Sequence, residues 1–456
     1  MGNVLSIWDF VLTPIYILLI YLVAYVIKST QIKKNPEYEY FIKGISFKIF
    51  GGIAFALVYV FYYNGGDTHT YFLDSRVVSN MFFIDPSTAF SILSDNLTPE
   101  NYAHFDHNSG WPHLYVWKDP NTFTVIRYTS IFNLIGLQTY LPTTILVGLF
   151  SYIGVWKLFT LFYSLYTKYA NYLAIAILFM PSFVFWGSGV MKDTYIIGAT
   201  CWITYNFYKV FIKRERIPLN VIFLIMNFII ILSIKPYVLT SLLPSMLFWL
   251  NRAYIKQIKS AIFRRLLLPF IMISFVVVGY YVFIGVGESL GEYGDVEKAI
   301  EKAKVTQQDL LREDSYGSNS YNLGQIDGSF SGMLKLAPIA IFTALYRPFI
   351  NEVGGFMMFF SAIENLVLLI STIIILLRTG FRRIGQVLYQ NPLLLYSVVF
   401  SIVLAYGVGI ATANFGALVR YKIPLIPFYY SALFLIYKIT EEKRLAKKKV
   451  KRPTFS

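Results

Sequence analysis

The sequence predicts an all-α protein, a polytopic bundle of transmembrane helices, and three observations support this class. Of its 456 residues, 56% are hydrophobic and only 14% are charged. The mean hydropathy is +0.56, outside the range of soluble globular domains. Apolar stretches long enough to cross roughly 30 Å of hydrocarbon recur along the chain. We therefore expect a single integral membrane domain over residues 1–456, and a soluble enzyme is excluded.

About eleven apolar stretches have the length of a membrane-spanning helix. They cover approximately residues 8–28, 45–63, 139–163, 169–187, 193–212, 217–234, 236–252, 265–288, 355–377, 393–412 and 421–438. Polar residues and prolines interrupt several of them, so their boundaries are approximate. The first stretch has no small-residue cleavage site after it and leads into a lysine-bearing connection, which indicates a retained span and not a signal peptide.

Basic residues indicate the orientation of the spans. Lysine and arginine collect after the first, fifth, seventh and ninth predicted spans and in the tail at 439–456. Short cytoplasmic loops of membrane proteins carry such an excess. We therefore expect the N-terminus outside and the basic tail inside the cytoplasm. The formal net charge of +15 then reflects topology and contact with membrane lipids, and not binding of nucleic acid.

Two connections are far longer than a helix turn, and both fall on the predicted outer side. They are residues 64–138 and 289–354. Long connections are usually functional or disordered. Residues 121–138 at the end of the first loop and 333–350 at the end of the second alternate polar and apolar side chains, as an interfacial helix does. We expect two large extracytoplasmic loops that carry amphipathic helices along the membrane surface.

The first chemical candidate is Asp67, in the sequence NGGDT directly after the second predicted span. Gly65 and Gly66 permit a tight turn at the membrane surface. Such a turn would hold the carboxylate near low-dielectric surroundings and raise its affinity for protons, as a general base requires. The alternative is an ordinary turn in which Asp67 only caps the next helix.

The second candidate is the turn PSFVFWGSGVMKDT at residues 181–194, between the fourth and fifth predicted spans. Small residues followed by a helix start offer free backbone N–H groups, and Lys192 adds a full positive charge, so the turn suits an anion such as phosphate. Alternatively, Asp193 only caps the helix and Lys192 only reaches lipid headgroups. We favour the anion site because an outward lysine runs against the positive-inside trend.

Three further cations lie at the ends of apolar segments on the same predicted outer face. Lys235 interrupts an apolar run and needs either a buried ion partner or a water-filled cavity. Arg347 ends an amphipathic stretch and offers a planar fork to a phosphate or carboxylate, with anchoring to a headgroup as the alternative. Arg420 opens the last span beside Lys422, and Glu364 within the ninth span is the expected ion partner of one of these two cations.

The positions of the histidines suggest a metal site as an alternative to a protein without a cofactor. All four histidines lie in the first outer loop, and His104, Asp106 and His107 have a spacing that can hold a divalent ion. Loop histidines are commonly hydrogen-bonded surface residues, however, and the pattern lacks a residue that would orient the ring. We therefore expect no cofactor, with a divalent metal at these three residues as the alternative.

Taken in order, these patches resemble polytopic glycan-assembly proteins, namely O-antigen and capsule repeat-unit polymerases and GT-C glycosyltransferases. The resemblance is carried by NGGDT, WGSGVMKD, YRPF and the closing RYKIPLIP, spread over most of the chain. It implies a polyprenyl-phosphate or polyprenyl-diphosphate saccharide as substrate, used at the outer face of a bacterial inner membrane. By resemblance, Asp67 matches an acidic residue after an early span and Arg420 matches a basic residue before the last one. The chain departs from many GT-C enzymes because Asp67-Thr68 lacks a paired acidic motif.

The resemblance and the charges together predict a glycosyltransferase or polymerase with one polar site that faces away from the cytoplasm. Cations at four positions would hold the substrate phosphate, and Asp67 would act as general base. The four cations are Lys192, Lys235, Arg347 and Arg420, and the supporting residues are Asp193, Glu364 and Tyr421. Two alternatives stay open. A lipid-linked saccharide flippase or transporter should bury its charges near the midplane, and a non-catalytic assembly subunit has no need to gather them on one face.

Overall fold

The computed structural model describes residues 4–94, 97–254, 305, 321, 323 and 330–450. These residues are largely helical, and no strand occurs among them. The chain divides into two compact units. The first is Met1–Ala170, Leu178–Val210 and Arg214–Lys235, and the second is Asn171–Ile177, Phe211–Lys213 and Pro236–Ser456.

The first unit is built around two helices, Tyr140–Leu165 and Lys192–Phe207. Its helices are Ile7–Gln31, Phe41–Phe61, Asp67–Ile84, Pro86–Ser94, Pro99–Ala103, Leu114–Trp117, Pro120–Ile135, Tyr140–Leu165, Pro181–Trp186, Lys192–Phe207 and Ile217–Ile234. The two central helices pack against each other and are mostly buried. A Cβ atom at Gly154 would lie 2.2 Å from the carbonyl oxygen of Gly198. Small residues let membrane helices approach backbone to backbone, because packing replaces the hydrophobic effect between them.

The second unit is centred on helix Pro392–Ala411, which packs against five other α-helices of that unit. The helices of this unit are Tyr237–Tyr254, Phe330–Lys335, Ala337–Tyr346, Phe356–Thr379, Phe381–Gln390, Pro392–Ala411, Phe415–Tyr421 and Ile426–Val450. Its core is aromatic, with Tyr396, Phe400 and Phe428 fully buried. Three short helices each have residues assigned to both units: Ala170–Ala174, Ile175–Phe179 and Tyr208–Lys213.

Seven helices of the described residues are long and apolar enough to cross a membrane. They are Ile7–Gln31, Pro36–Phe61, Tyr140–Leu165, Ile217–Ile234, Phe356–Thr379, Pro392–Ala411 and Phe415–Ala446. Each overlaps one predicted span, so the chain is an integral membrane protein, and the part of it that the structure describes is helical. Helix Ile7–Gln31 leaves Trp8, Leu18 and Leu22 more than half exposed, and such apolar faces contact membrane lipid.

The other predicted spans differ from simple long helices. Residues 169–187 form several short helical pieces, and Pro181 begins the last of them. Residues 193–212 form the 16-residue helix Lys192–Phe207 and a π-helical extension, and residues 236–252 form a helix that contains Pro244. The predicted span at 265–288 lies outside the described residues, as does most of the predicted loop at 289–354. The total of about eleven spans and the orientation stay predictions.

The predicted outer loop at 64–138 is folded and helical. The interfacial helix expected at 121–138 exists as Pro120–Ile135, but it does not lie on a surface, because it packs against Asp67–Ile84 and Tyr140–Leu165. Its small polar residues bond within the protein: Asn133 Nδ2 donates to Ser75 Oγ at 3.0 Å. The alternating pattern therefore reflects internal hydrogen bonding and not a water-facing side.

Candidate functional site

Lys192 lies at the centre of a group of charged side chains in the first unit. Its ammonium nitrogen donates to Thr122 Oγ1 at 2.6 Å and lies 3.6 Å from Asp119 Oδ2. The charges of Asp67 and Lys235 also act on it. The side chain of Lys192 is 21% exposed and that of Asp119 is 46% exposed. The group is therefore only partly exposed, and Asp119 is its more accessible member.

A buried ion pair adjoins this group. Lys235 Nζ lies 2.5 Å from Asp193 Oδ1, with only 9% and 2% of the two side chains exposed. Asp193 is in the first turn of helix Lys192–Phe207, and Lys235 directly follows helix Ile217–Ile234. The structure thus provides the ion partner that Lys235 was expected to need. We call Asp67, Asp119, Lys192, Asp193 and Lys235 the charged cluster.

Local sequence explains how Asp67 reaches the cluster. Asn64, Gly65 and Gly66 all have positive φ angles, a conformation that glycine adopts without strain. Gly66 is the residue before the helix, and Asp67 is the first helical residue, so Asp67 is not the capping residue. It is exposed at a helix start, where the helix dipole favours a negative charge.

Asp119 is a candidate functional residue that the sequence did not predict. Its side chain caps helix Pro120–Ile135 by accepting the Asn121 N–H at 3.0 Å, and it also accepts the Thr122 hydroxyl. Burial acts to raise the pKa of Asp119, but the charge of Lys192 and the bonds from Thr122 outweigh it, so the pKa lies below its ordinary value. Burial lowers the pKa of Lys192, and Asp119 opposes that shift. An aspartate before a proline is a helix-start signal, but nothing local shows that it also pairs with Lys192.

The turn that carries Lys192 is held by a second missed residue, Lys48. The buried Lys48 ammonium donates to the carbonyl oxygen of Gly187, at the end of helix Pro181–Trp186. A cation suits this position because a helix C-terminus carries a partial negative charge. Thr194 Oγ1 donates to the carbonyl oxygen of Gly189 at 2.6 Å. The turn is therefore a rigid element that fixes the start of helix Lys192–Phe207.

Asp74 of helix Asp67–Ile84 forms a separate polar pair with His113. His113 Nδ1 lies 2.7 Å from Asp74 Oδ1, and the His113 backbone N–H donates to Asp74 Oδ2 at 3.2 Å. Asp74 is almost fully buried, whereas the His113 side chain is 49% exposed. Burial raises the pKa of Asp74, and the hydrogen bonds from His113 oppose this shift. The two contacts with Asp74 hold His113 in place, although nearly half of its side chain stays exposed.

The histidines of the first loop do not form a metal cluster in the described part of the chain. Asp106 accepts the backbone N–H groups of Asn108 and Ser109, each at 2.9 Å. His104 and His107 are both exposed. Asp106 therefore stabilises a turn, and these three residues give no support to the alternative of a divalent-ion site.

In the second unit, Arg347 already engages a carboxylate. Its Nε atom lies 3.0 and 3.1 Å from the two carboxylate oxygens of Glu352. The guanidinium also lies 5.3 Å and 5.0 Å from the ring centroids of Tyr321 and Phe415. The fork that was expected to bind a substrate phosphate thus has a protein partner.

The cations that begin the last predicted span have different surroundings. Lys422 is buried and donates to Asn365 Oδ1 at 2.7 Å and to the carbonyl oxygen of Arg347 at 3.3 Å. The charge of Glu364 also acts on Lys422, and Glu364 stays the predicted ion partner of one of the two cations. Arg420 and Tyr421 are both partly buried at the end of helix Phe415–Tyr421.

Comparison with known proteins adds no relationship: protein-family models, curated proteins and solved structures each give no match to this chain. Its function must therefore be inferred from its own residues. Of the predicted site residues, Asp67, Lys192, Asp193 and Lys235 come together within the first unit. The second unit contains Arg347, Glu364, Arg420 and Tyr421.

Proposed function

We propose that this protein is a membrane glycosyltransferase or polysaccharide repeat-unit polymerase. Its substrate would be a saccharide linked to polyprenyl phosphate or diphosphate, used at the extracytoplasmic face of a bacterial inner membrane. The observation that carries this proposal is the charged cluster, in which an accessible lysine lies beside carboxylates on an integral membrane protein. The substrate class comes from the resemblance of the short motifs to glycan-assembly proteins.

Lys192 is suited to hold the phosphate. An ammonium group has three N–H donors. One donates a hydrogen bond to Thr122, and a second is directed to the paired carboxylate of Asp119. The third is available to a ligand oxygen. A preorganised cation stabilises the charge that develops on a leaving phosphate. Asp119 and Thr122 are positioning residues for this ammonium.

Asp67 is suited to accept the proton. In the proposed reaction, the acceptor hydroxyl oxygen attacks the anomeric carbon and the bond from that carbon to the phosphate oxygen breaks. The phosphate leaves with the electron pair, and Asp67 takes the hydroxyl proton as general base. Its exposed position and its electrostatic coupling to Lys192 support this role. The ion pair between Asp193 and Lys235 holds the helix start that carries Lys192, and Lys235 is a further cation that the sequence assigns to the phosphate.

The test is complementation of a deletion strain, with gel banding of the envelope polysaccharide as readout. Loss of a polymerase should leave single repeat units, loss of a transferase should truncate the repeat, and loss of a flippase should remove both. We expect Asp67→Asn and Lys192→Met to behave like the deletion. Lys118→Met is the matched control, because Lys118 is exposed and lies outside the charged cluster. Unchanged polymer from inserted, folded Asp67→Asn and Lys192→Met proteins would refute the proposal.

A further inference from the structure

A basic cavity lies at the other end of the helix that Lys192 begins. Its volume is about 300 Å³, at the lower limit of the roughly 300–1,000 Å³ typical of ligand pockets. Lys157, Lys209 and Arg216 line it, together with Trp202 and Tyr205. Thirteen residues at a rise of about 1.5 Å each separate Lys192 from Tyr205, or about 20 Å along the helix axis. The cavity is therefore distinct from the charged cluster.

The cavity carries an excess of positive charge. Glu215 is its acidic lining residue, and that carboxylate pairs with Lys209 at 2.5 Å. Among the residues that the structure describes, no carboxylate pairs with Lys157 or Arg216. Lys157 Nζ instead lies 5.6 Å and 5.3 Å from the ring centroids of Trp202 and Tyr205. Since Glu215 pairs with Lys209, two cations of the lining have no paired carboxylate among the described residues, and this excess of positive charge favours an anionic ligand.

The turn that carries Arg216 has an uncommon backbone conformation that hydrogen bonds hold in place. Arg214 and Arg216 both have φ angles in the left-handed region, 54° and 45°, which is uncommon for residues other than glycine and clusters at functional sites. The Asn220 side chain donates to the carbonyl oxygens of Glu215 and Arg216 at 2.7 and 3.1 Å. These bonds hold the turn against the start of helix Ile217–Ile234.

The surroundings of the cavity indicate the source of the anion. Leu219 lines the cavity and is 49% exposed, and Ile222 on the next turn of the same apolar helix is 55% exposed. Helix Ile217–Ile234 is one of the candidate membrane spans. A basic pocket at the end of a membrane helix is the arrangement that binds lipid headgroups. We propose that this cavity binds the phosphate of an anionic phospholipid, whose acyl chains lie along the exposed face of that helix.

The experiment uses the full-length protein in neutral detergent and follows thermal unfolding. Cys201 is the chain's one cysteine and is buried, so its reaction with a fluorogenic maleimide reports unfolding. Short-chain phosphatidylglycerol should raise the unfolding midpoint, whereas phosphatidylcholine of the same chain length should not. Arg216→Gln and Lys157→Met should each raise the half-saturating concentration of phosphatidylglycerol about fivefold to tenfold, as removal of one phosphate contact predicts.

Arg214→Gln is the matched control, because it removes an exposed arginine with the same backbone conformation that lies outside the cavity. It should bind phosphatidylglycerol like the unchanged protein, and Arg216→Lys should restore much of the affinity lost in Arg216→Gln. The midpoint without lipid shows whether each variant is folded. Equal effects of the two lipids, or equal losses in Arg214→Gln and Arg216→Gln, would overturn the proposal. Stabilisation by inorganic phosphate with none by phosphatidylglycerol would overturn the lipid as ligand.

Discussion

Breaking the ion pair between Lys235 and Asp193 should destabilise the first unit strongly. Lys235→Met would leave the Asp193 carboxylate, which is 2% exposed, without its cation. Removing one partner of a buried pair typically costs about 3–5 kcal/mol. Each kcal/mol of lost stability lowers the thermal unfolding midpoint of a unit of this size by about 2–4 °C, so we expect the midpoint to fall by about 6–20 °C.

The assay is the reaction of buried Cys201 with a fluorogenic maleimide during heating. The double variant Asp193→Asn/Lys235→Met should recover most of the lost stability, because neither charge is then buried alone. Lys43→Met is the control. It breaks the ion pair between Lys43 and Glu39, in which the two side chains are 58% and 64% exposed. Such exposed pairs contribute only about 0–1 kcal/mol to stability.

Two results would refute this reasoning. One is a midpoint for Lys235→Met equal to that of Lys43→Met, and the other is a double variant no more stable than Lys235→Met. The double variant also separates structure from chemistry. If it folds and still supports polymer formation in the complementation test, Lys235 stabilises the helix start. If it folds without supporting polymer, Lys235 contributes to substrate binding as the sequence predicted.

Three further predictions concern other sites. Burial lowers the pKa of His69 in the folded state, so the unfolded state binds more protons at a pH below the ordinary histidine pKa of about 6.5. The free energy of unfolding should therefore fall as the pH drops through that value. Tryptophan fluorescence melts should show a smaller fall for His69→Gln, and equal falls would contradict this. Gly154→Ala should lose about 1–3 kcal/mol, because its Cβ would meet the Gly198 carbonyl. Gly407→Ala has nothing within 4 Å and should melt no lower than the unchanged protein, since alanine favours a helix interior; tryptophan fluorescence melts decide, and equal losses in the two variants would contradict this. Asn365→Leu should cost about 1–3 kcal/mol by leaving the buried Lys422 ammonium short of an acceptor, whereas Asn365→Asp supplies a counter-charge and should melt higher than Asn365→Leu; the reverse order would be inconsistent with the bond at 2.7 Å.

Membrane insertion could be predicted from the sequence because hydropathy is a local property. A stretch such as 217–234 is apolar over the length needed to cross a bilayer, whatever it packs against, and the structure has a helix of those bounds. Unusual charges are also visible locally. Lys192 and Lys235 attract notice because a lysine on the predicted outer face runs against the positive-inside trend. Asp67 attracts notice because it follows two glycines directly after a predicted span, and the first unit brings these three residues together.

The partners of those charges depend on which helices touch, and that information is not local. Lys235 pairs with a residue 42 positions away, and Lys192 bonds to one 70 positions away. The surface helix predicted at 121–138 is buried for the same reason, since only its neighbours supply hydrogen-bond partners for its polar side. Residue type and order therefore indicate where charge occurs, whereas packing between distant segments selects the counter-ion of each charge and leaves some cations accessible to a ligand.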